Sequence, residues 1–376
     1  MKKWLSVTSV LLILTFIPTS FAAVKPGAIA RVGDQCLRNG VIAEGRGINN
    51  TNLICMPANL GSSAGELLWW YPNLKQQNIF ELIAPITSRS SDSTEVIASR
   101  SQDRIARILG QSLKSEQLIR DFSAKNFTST YGQLALSTFQ NYRNRSATSF
   151  IANTNLLSAL IYEKSPSNLL ESKPVANMLI EYEAIAVASN SRYSNMTQLI
   201  NDLSINPKSV TFIGGPKNGF DYYFLKKLLV MQNIDPKSVN YVETNSGAQL
   251  IGLLNGDSSK VAISSNGQFV PGVNASKTKI LGVASPERLN WLKGKTLISQ
   301  NINLVTGNRF GVMAPANLNS ADFDNLLRSL EILHNSKIWK KVMLDNYWSD
   351  DFLYSSDYLS LLKLQSHRIC QSLLKF

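Results

Sequence analysis

Residues 211–257 hold two strand-turn-helix units in immediate succession, and that order constrains the rest of the chain. Val210-Thr211-Phe212-Ile213 is an apolar run that turns through Gly214-Gly215-Pro216-Lys217-Asn218-Gly219, after which Phe220, Tyr223, Phe224, Leu228 and Leu229 recur at helical spacing. Val239-Asn240-Tyr241-Val242 is a second short strand. Asn245 or Ser246 caps the helix that carries Ala248, Leu250, Ile251, Leu253 and Leu254 and ends at Asn255-Gly256. Strands separated by helices of this length pair in parallel, so the spacing predicts an α/β layer structure. A glycine turn feeding a helix start gathers unpaired N–H groups at the positive end of the helix dipole, and its natural guest is an anion. A glycine turn without a ligand is the plain alternative. Neither nucleotide signature is present: Gly219 is followed by Phe220 and Asp221 instead of Lys and Ser or Thr, and G-x-G-x-x-G does not occur.

The N-terminus bounds the compartment. Lys2-Lys3 precede an apolar segment, residues 10–17, and Pro18-Thr19-Ser20-Phe21-Ala22 supplies the small residues of a signal-peptidase site. Residues 1–22 are expected to be a signal peptide, with a soluble product exported to a bacterial periplasm. The formal charge of +12, from 38 Lys and Arg against 26 Asp and Glu, favours acidic small molecules or an anionic surface. The basic residues are scattered rather than clustered, so a nucleic-acid partner is not expected. Of the three cysteines, Cys36 and Cys55 lie close together in a glycine-rich segment and form the natural disulfide pair after export. Cys370, at helical spacing with Leu362, Ile369 and Leu373, reads as a buried thiol.

Residues 23–78 read as a small β-rich module stapled by that disulfide, with a last strand over 67–71 and Trp69 or Trp70 filling a small core of its own. A Ser- and Thr-rich linker, residues 87–94, precedes a strand at Glu95-Val96-Ile97-Ala98. Ser99-Arg100-Ser101-Gln102 then turns into a helix begun by Asp103, with Ile105, Ile108, Leu109 and Leu113 on its buried stripe. Thr148-Ser149-Phe150-Ile151-Ala152 is a strand ending in Asn153-Thr154-Asn155, and residues 184–188 are continuously apolar, as in a strand buried on both faces. Val261-Ala262-Ile263 ends in Ser264-Ser265-Asn266, and the chain from Ala321 onward is helical. Four strand ends thus offer short polar side chains. In open α/β sheets ligands bind outside the carboxyl ends of strands, so these ends define the expected site.

Catalysis is not expected. His334 and His367 stand in no metal-ligand spacing, and Asp350-Asp351 reads as a solvated turn. No cofactor and no metal is implied.

From residue 95 to the C-terminus the order of elements resembles the extracytoplasmic solute receptors of tripartite tricarboxylate transporters, the Bug and TctC type. Asp103, Ala106 and Arg107 stand where that family has its Asp and Ala-Arg after the first strand, with Ser99 and Arg100 in place of a glycine pair. Gly214 to Gly219 resembles the second glycine loop, with Lys217 where another glycine is usual. Residues 241–257, 281–288 and 310–315 resemble the later signatures. The resemblance implies a two-lobed periplasmic binding protein of type II, preceded by the disulfide module, with lobe 1 over 79–184 and 306–376 and lobe 2 over 185–305. It also implies a small organic anion held in the cleft and delivered to the membrane permease of a tripartite carboxylate transporter. The expected ligand contacts are Ser99, Arg100, Ser101, Asp103, Thr154, Asn155, Gly214, Gly215, Gly219, Ser264 and Ser265. The added positive charge of Arg100 and Lys217 suits a more anionic ligand, or fills the cleft. In that second case the chain is an exported interaction protein on a degenerate receptor fold, with a protein or glycan partner at its N-terminal module.

Overall fold

The computed structural model describes residues 30–87, 101–129 and 132–374. The signal segment, the strand expected at 95–98, and Ser99 and Arg100 lie outside the described residues. The N-terminal part is a three-stranded antiparallel sheet of β1 (Ile42–Ala43), β2 (Leu53–Pro57) and β3 (Leu67–Trp70). Cys36 and Cys55 are disulfide-bonded with their Cα atoms 5.7 Å apart. Alternation along β3 buries Leu68 and Trp70 and leaves Trp69 half-buried.

Ten further strands follow: β4 (Gln77–Thr87), β5 (Ile119–Ser129), β6 (Thr148–Asn153), β7 (Lys173–Ala188), β8 (Thr211–Gly214), β9 (Asn240–Glu243), β10 (Lys260–Ser265), β11 (Thr278–Val283), β12 (Gly307–Ala314) and β13 (Ser349–Tyr354). Among the described residues they form one sheet in the order β5-β4-β6-β12-β7-β10-β8-β9, with β11 and β13 also paired to β7. Strand β7 is 16 residues long. Its first part pairs with β12 and β13 and its second part with β10 and β11. The β4-β5, β4-β6, β8-β9 and β8-β10 pairs are parallel, as the interleaved helices require.

The helices are α1 (Ser101–Ser115), α2 (Gln133–Gln140), α3 (Thr154–Tyr162), α4 (Met196–Ile205), α5 (Phe220–Met231), α6 (Gly247–Gly256), α7 (Val270–Asn274), α8 (Ser320–Asn335), α9 (Lys337–Asp345) and α10 (Ser355–Leu374). Strand alternation sorts them into layers. In the first half of the sheet Leu82, Ile151 and Val312 face α1 and α8, while Ile83, Phe150 and Met313 face α2, α3 and α10. In the second half Ile185, Phe212 and Ile263 face α4 and α5, while Ala186, Ile213 and Ala262 face α6 and α7. Each half is therefore a helix-sheet-helix sandwich, joined to the other through β7. No helix among the described residues is long and apolar enough to cross a membrane.

Several expectations are corrected. The N-terminal module has no core of its own: Val32, Leu53, Trp70 and Tyr71 share one cluster with Leu109 of α1, Leu330 of α8 and Trp339 of α9. Three strands of this size bury too little to stand alone, and the outer face of the first half-sheet supplies the missing surface. The junction is also polar. The Tyr71 hydroxyl donates to Glu331 Oε2 at 2.7 Å and accepts from the Ile48 N–H at 2.8 Å, and Tyr354 donates to Glu331 Oε1 at 2.6 Å. Asp350 and Asp351 lie in β13 rather than in a turn. Asp351 accepts from Arg309 Nε and Asn177 Nδ2, both at 2.7 Å, and Asp350 pairs with His334 at 2.8 Å, so their charges are matched by partners on neighbouring elements. Cys370 is exposed, because Leu362 and Ile369 set the buried stripe of α10 and residue 370 lies a further 100° or so around the helix.

Replacing both Cys36 and Cys55 by Ala opens a loop of sequence separation 19 and is expected to lower the urea-unfolding free energy by about 3 kcal/mol. Tyr71→Phe, which strips a donor from the buried Glu331, is expected to cost about 1–3 kcal/mol in the same measurement. An unchanged urea midpoint for Tyr71→Phe would show that the hydroxyl network does not hold the module in place.

Candidate ligand-binding cleft

The strand ends of both halves open on a common cleft of about 420 Å³. From the first half come Gln102 and Arg104 of α1, Asn155 of α3, and Asn346 and Tyr347 after α9. From the second come Gly215 and Pro216 after β8, Asp221 of α5, the 244–247 turn, and Ser264 and Ser265 of β10. Glu181 of β7 forms part of the wall. The helix starts are shaped by local capping. Asn153 accepts from the Leu156 N–H at the head of α3. Ser246 accepts from the Gln249 N–H while the Gln249 side chain accepts from the Asn245 N–H, a reciprocal box that fixes the entry to α6.

Of the residues expected from sequence, the structure brings Asn155, Gly215, Ser264 and Ser265 to this cleft. Others are engaged elsewhere. Asp103 is buried under Arg107, whose Nε donates to both its oxygens at 2.8 and 2.9 Å, and accepts from Asn126 at 2.7 Å. Thr154 Oγ1 accepts from the Arg309 N–H at 3.0 Å. The Gly214 carbonyl accepts from Thr244, and Gly219 backs onto Asn155. Ser101 opens α1.

The glycine loop differs from the expected anion cradle in one physical respect: three of the amides along it and at the helix start are already taken by side chains. The Gly215 N–H donates to Asp221 Oδ2 at 2.8 Å, the Lys217 N–H to Glu243 Oε2 at 3.1 Å, and the Phe220 N–H to Asn155 Oδ1 at 2.8 Å. Asp221, in the first turn of α5, also offsets the positive end of that helix with its own charge. The loop is further clamped from outside, since Tyr241 Oη donates to the Gly215 carbonyl at 2.6 Å.

Sequence reasoning missed the charged wall. Glu181 Oε1 accepts from Trp348 Nε1 at 2.9 Å, and Arg104 lies over the Trp348 ring, 6.0 Å from its centroid. Glu183, two residues on along the same face of β7, is 0% exposed, and neither of its carboxylate oxygens has a hydrogen-bond partner. Burial pushes all three carboxyls up. Asp221 rises to about 6 against the pull of the Gly215 N–H, Glu183 goes well above the usual range with Asp221 and Glu181 adding like charge, and Glu181 is raised despite Trp348. The available signal was Glu181-Tyr182-Glu183, two acids at strand spacing beside an apolar run. Among the described residues no group of three or more His, Cys, Asp or Glu is arranged to hold a metal ion.

No protein-family model matches the chain, and no curated protein matches it. Solved structures do. A TctC solute-binding protein from Polaromonas is 14% identical, covers 82% of this chain and 100% of its own, and superposes with a TM-score of 0.63. Rpa4515 of R. palustris with adipate is 14% identical over 81% of this chain and 98% of its own, at 0.65. MatC from Rhodopseudomonas palustris with bound malate is 11% identical over 80% and 99%, at 0.62. The chain has the fold of these solute-binding proteins, preceded by a β-rich disulfide segment.

Because the folded-state value of Asp221 stands above the unfolded one, its contribution to stability is present at low pH and is lost as pH rises through about 6. Asp221→Asn keeps an oxygen for the Gly215 N–H and is expected to match the wild type near pH 4. At pH 8 it should exceed it by on the order of 2 kcal/mol, read from urea unfolding at the two pH values. Equal stability at both would mean that Asp221 is solvated.

Proposed function

We propose that this chain is a periplasmic solute-binding receptor, not an enzyme, that takes a small organic acid into the cleft between its sheet halves and presents it to a membrane permease of the tripartite carboxylate transporter type. The observation that carries this reading is the convergence of polar strand ends from both halves on one cleft, in a fold shared with proteins solved with malate and adipate. Lobe 1 comprises 79–184 and 306–376 and lobe 2 comprises 185–305, with closure as a hinge motion where β7 and the segment entering β12 cross between them. Arg104, the one cation among the described lining residues, and the start of α6 are the groups that offer a carboxylate a favourable contact. Ser99, Arg100 and Ser101 complete the proposed contacts at the head of α1.

Thermal unfolding of the oxidised protein against di- and tricarboxylates, amino acids, aromatic acids and neutral controls tests the reading. A ligand at about 100 times its dissociation constant stabilises by about 2.7 kcal/mol, and a saturable shift confined to organic acids is expected. Arg104→Ala should weaken the best acid roughly tenfold. No shift with any compound would overturn the receptor reading in favour of an exported interaction protein that works through its N-terminal module.

A further inference from the structure

We propose that the solute bound in this cleft carries a protonated amine, held by the carboxylates of Asp221 and Glu181 with the buried Glu183 behind them, so that the cleft selects an amino acid over the matching amine-free acid. The inference rests on the receptor reading and adds a ligand class to it. Its basis is charge placement. Among its described lining residues, a chain with 38 basic against 26 acidic residues gathers two carboxylates, Glu181 and Asp221, against one guanidinium, that of Arg104. A third carboxylate, Glu183, lies behind them on the face of β7 that Glu181 shares, within electrostatic reach of both.

Glu183 is the independent sign of a missing partner. A wholly buried carboxyl with both oxygens unbonded is costly unless something pairs with it, and nearly all buried polar groups in folded proteins are paired. The charged and titratable groups facing this corner are Glu181 and Glu183 from β7, Asp221 from α5, Tyr241 and Glu243 from β9, and Arg104 from α1. Arg104 bonds Asn346, lies over the Trp348 ring and makes no bond to Glu183. Tyr241 spends its proton on the Gly215 carbonyl. No cation of the described chain therefore bonds Glu183. An ammonium group brings three donors in a compact head, while a carboxylate placed here would add an acceptor to a corner already lined with acids. The amides that would welcome such a carboxylate in the glycine loop are spent on Asp221, Glu243 and Asn155. A zwitterion fits both ends of the cleft, its carboxylate toward Arg104 and its ammonium toward the acids.

The test is calorimetric titration of the oxidised full-length mature protein at pH 7.5 with matched ligands: adipate, 6-aminohexanoate and 1,6-diaminohexane, and the shorter pair malate and aspartate. The expected result is that an amine-bearing member binds about tenfold or more tightly than its dicarboxylate counterpart, the increment of one charge-assisted hydrogen bond. Asp221→Asn should shrink the ratio of amine-ligand to dicarboxylate affinity measured in the same variant, and Glu183→Gln, which keeps side-chain volume, should do the same if the first variant unfolds. Lowering the pH from 7.5 to 5 should weaken the amine ligand, because Asp221 takes up a proton near 6; an anion binding at the same corner would instead tighten. Binding of adipate or malate with no gain from the amine overturns the proposal and leaves the receptor standing. Amine binding indifferent to both variants also overturns it. Binding of 1,6-diaminohexane alone supports the amine and overturns the carboxylate half of the receptor reading. Silence from all five ligands and from the wider acid panel overturns both.

Discussion

Strand β7 is the constraint on which the rest of the molecule depends. It is hydrogen-bonded to β12 and β13 along its first part and to β10 and β11 along its second. Both helix-sheet-helix sandwiches are therefore built on one continuous stretch of backbone. Between Tyr182 and Ala184 the partners change. The Glu183 N–H donates to the Thr306 carbonyl and the Glu183 carbonyl accepts from the Ala284 N–H, so the main chain stays paired across the change of neighbours. The side chain at that position has no such provision. A ladder that is fully satisfied beside a carboxyl that is not is the local conflict expected at a functional position rather than in a structural core.

The two-unit stretch at 211–257 was legible because its apolar spacing switches cleanly between strand and helix periods, and because Ser246 and Gly256 punctuate it. β5 and β13 were not. Arg120, Asp121, Lys125 and Asn126 interrupt any apolar alternation in the first, and Asp350-Asp351 in the second reads as a turn. Tertiary context holds them as strands: β5 is an edge strand whose register is set by β4, and β13 is held by β7 together with the Arg309 and His334 pairs. The site was half legible. Strand ends mark where side chains converge, and Asn155, Gly215, Ser264 and Ser265 line one cleft. They do not reveal which backbone amides have been claimed by a distant side chain, as Asn155 claims Phe220 across 65 residues.

That distinction separates this cleft from the one its glycine loop suggests. A loop of free amides is an electrostatic invitation to anions, but the same loop backed by Asp221 and Glu243 presents them with negative charge. Net charge misleads in the same way. The excess of lysine and arginine is spread over the surface, whereas the potential inside a low-dielectric cleft is set by the few groups that line it. Fold therefore locates the candidate cleft, and the buried acids of β7 and α5 set its electrostatic character.

The shared core of the N-terminal module also sets an order of assembly. Tyr71 meets Glu331 across 260 residues, and Trp70 packs in one cluster with Trp339. In a chain made from its N-terminus, the module emerges first but reaches its packing partners only after the helices near the opposite end have followed. Until then the Cys36–Cys55 link is the tie that limits its wandering. The contact that closes the molecule is thus among its longest-range ones, so completion of the fold is slow by topology, and a chain truncated near its end would leave its beginning unfinished.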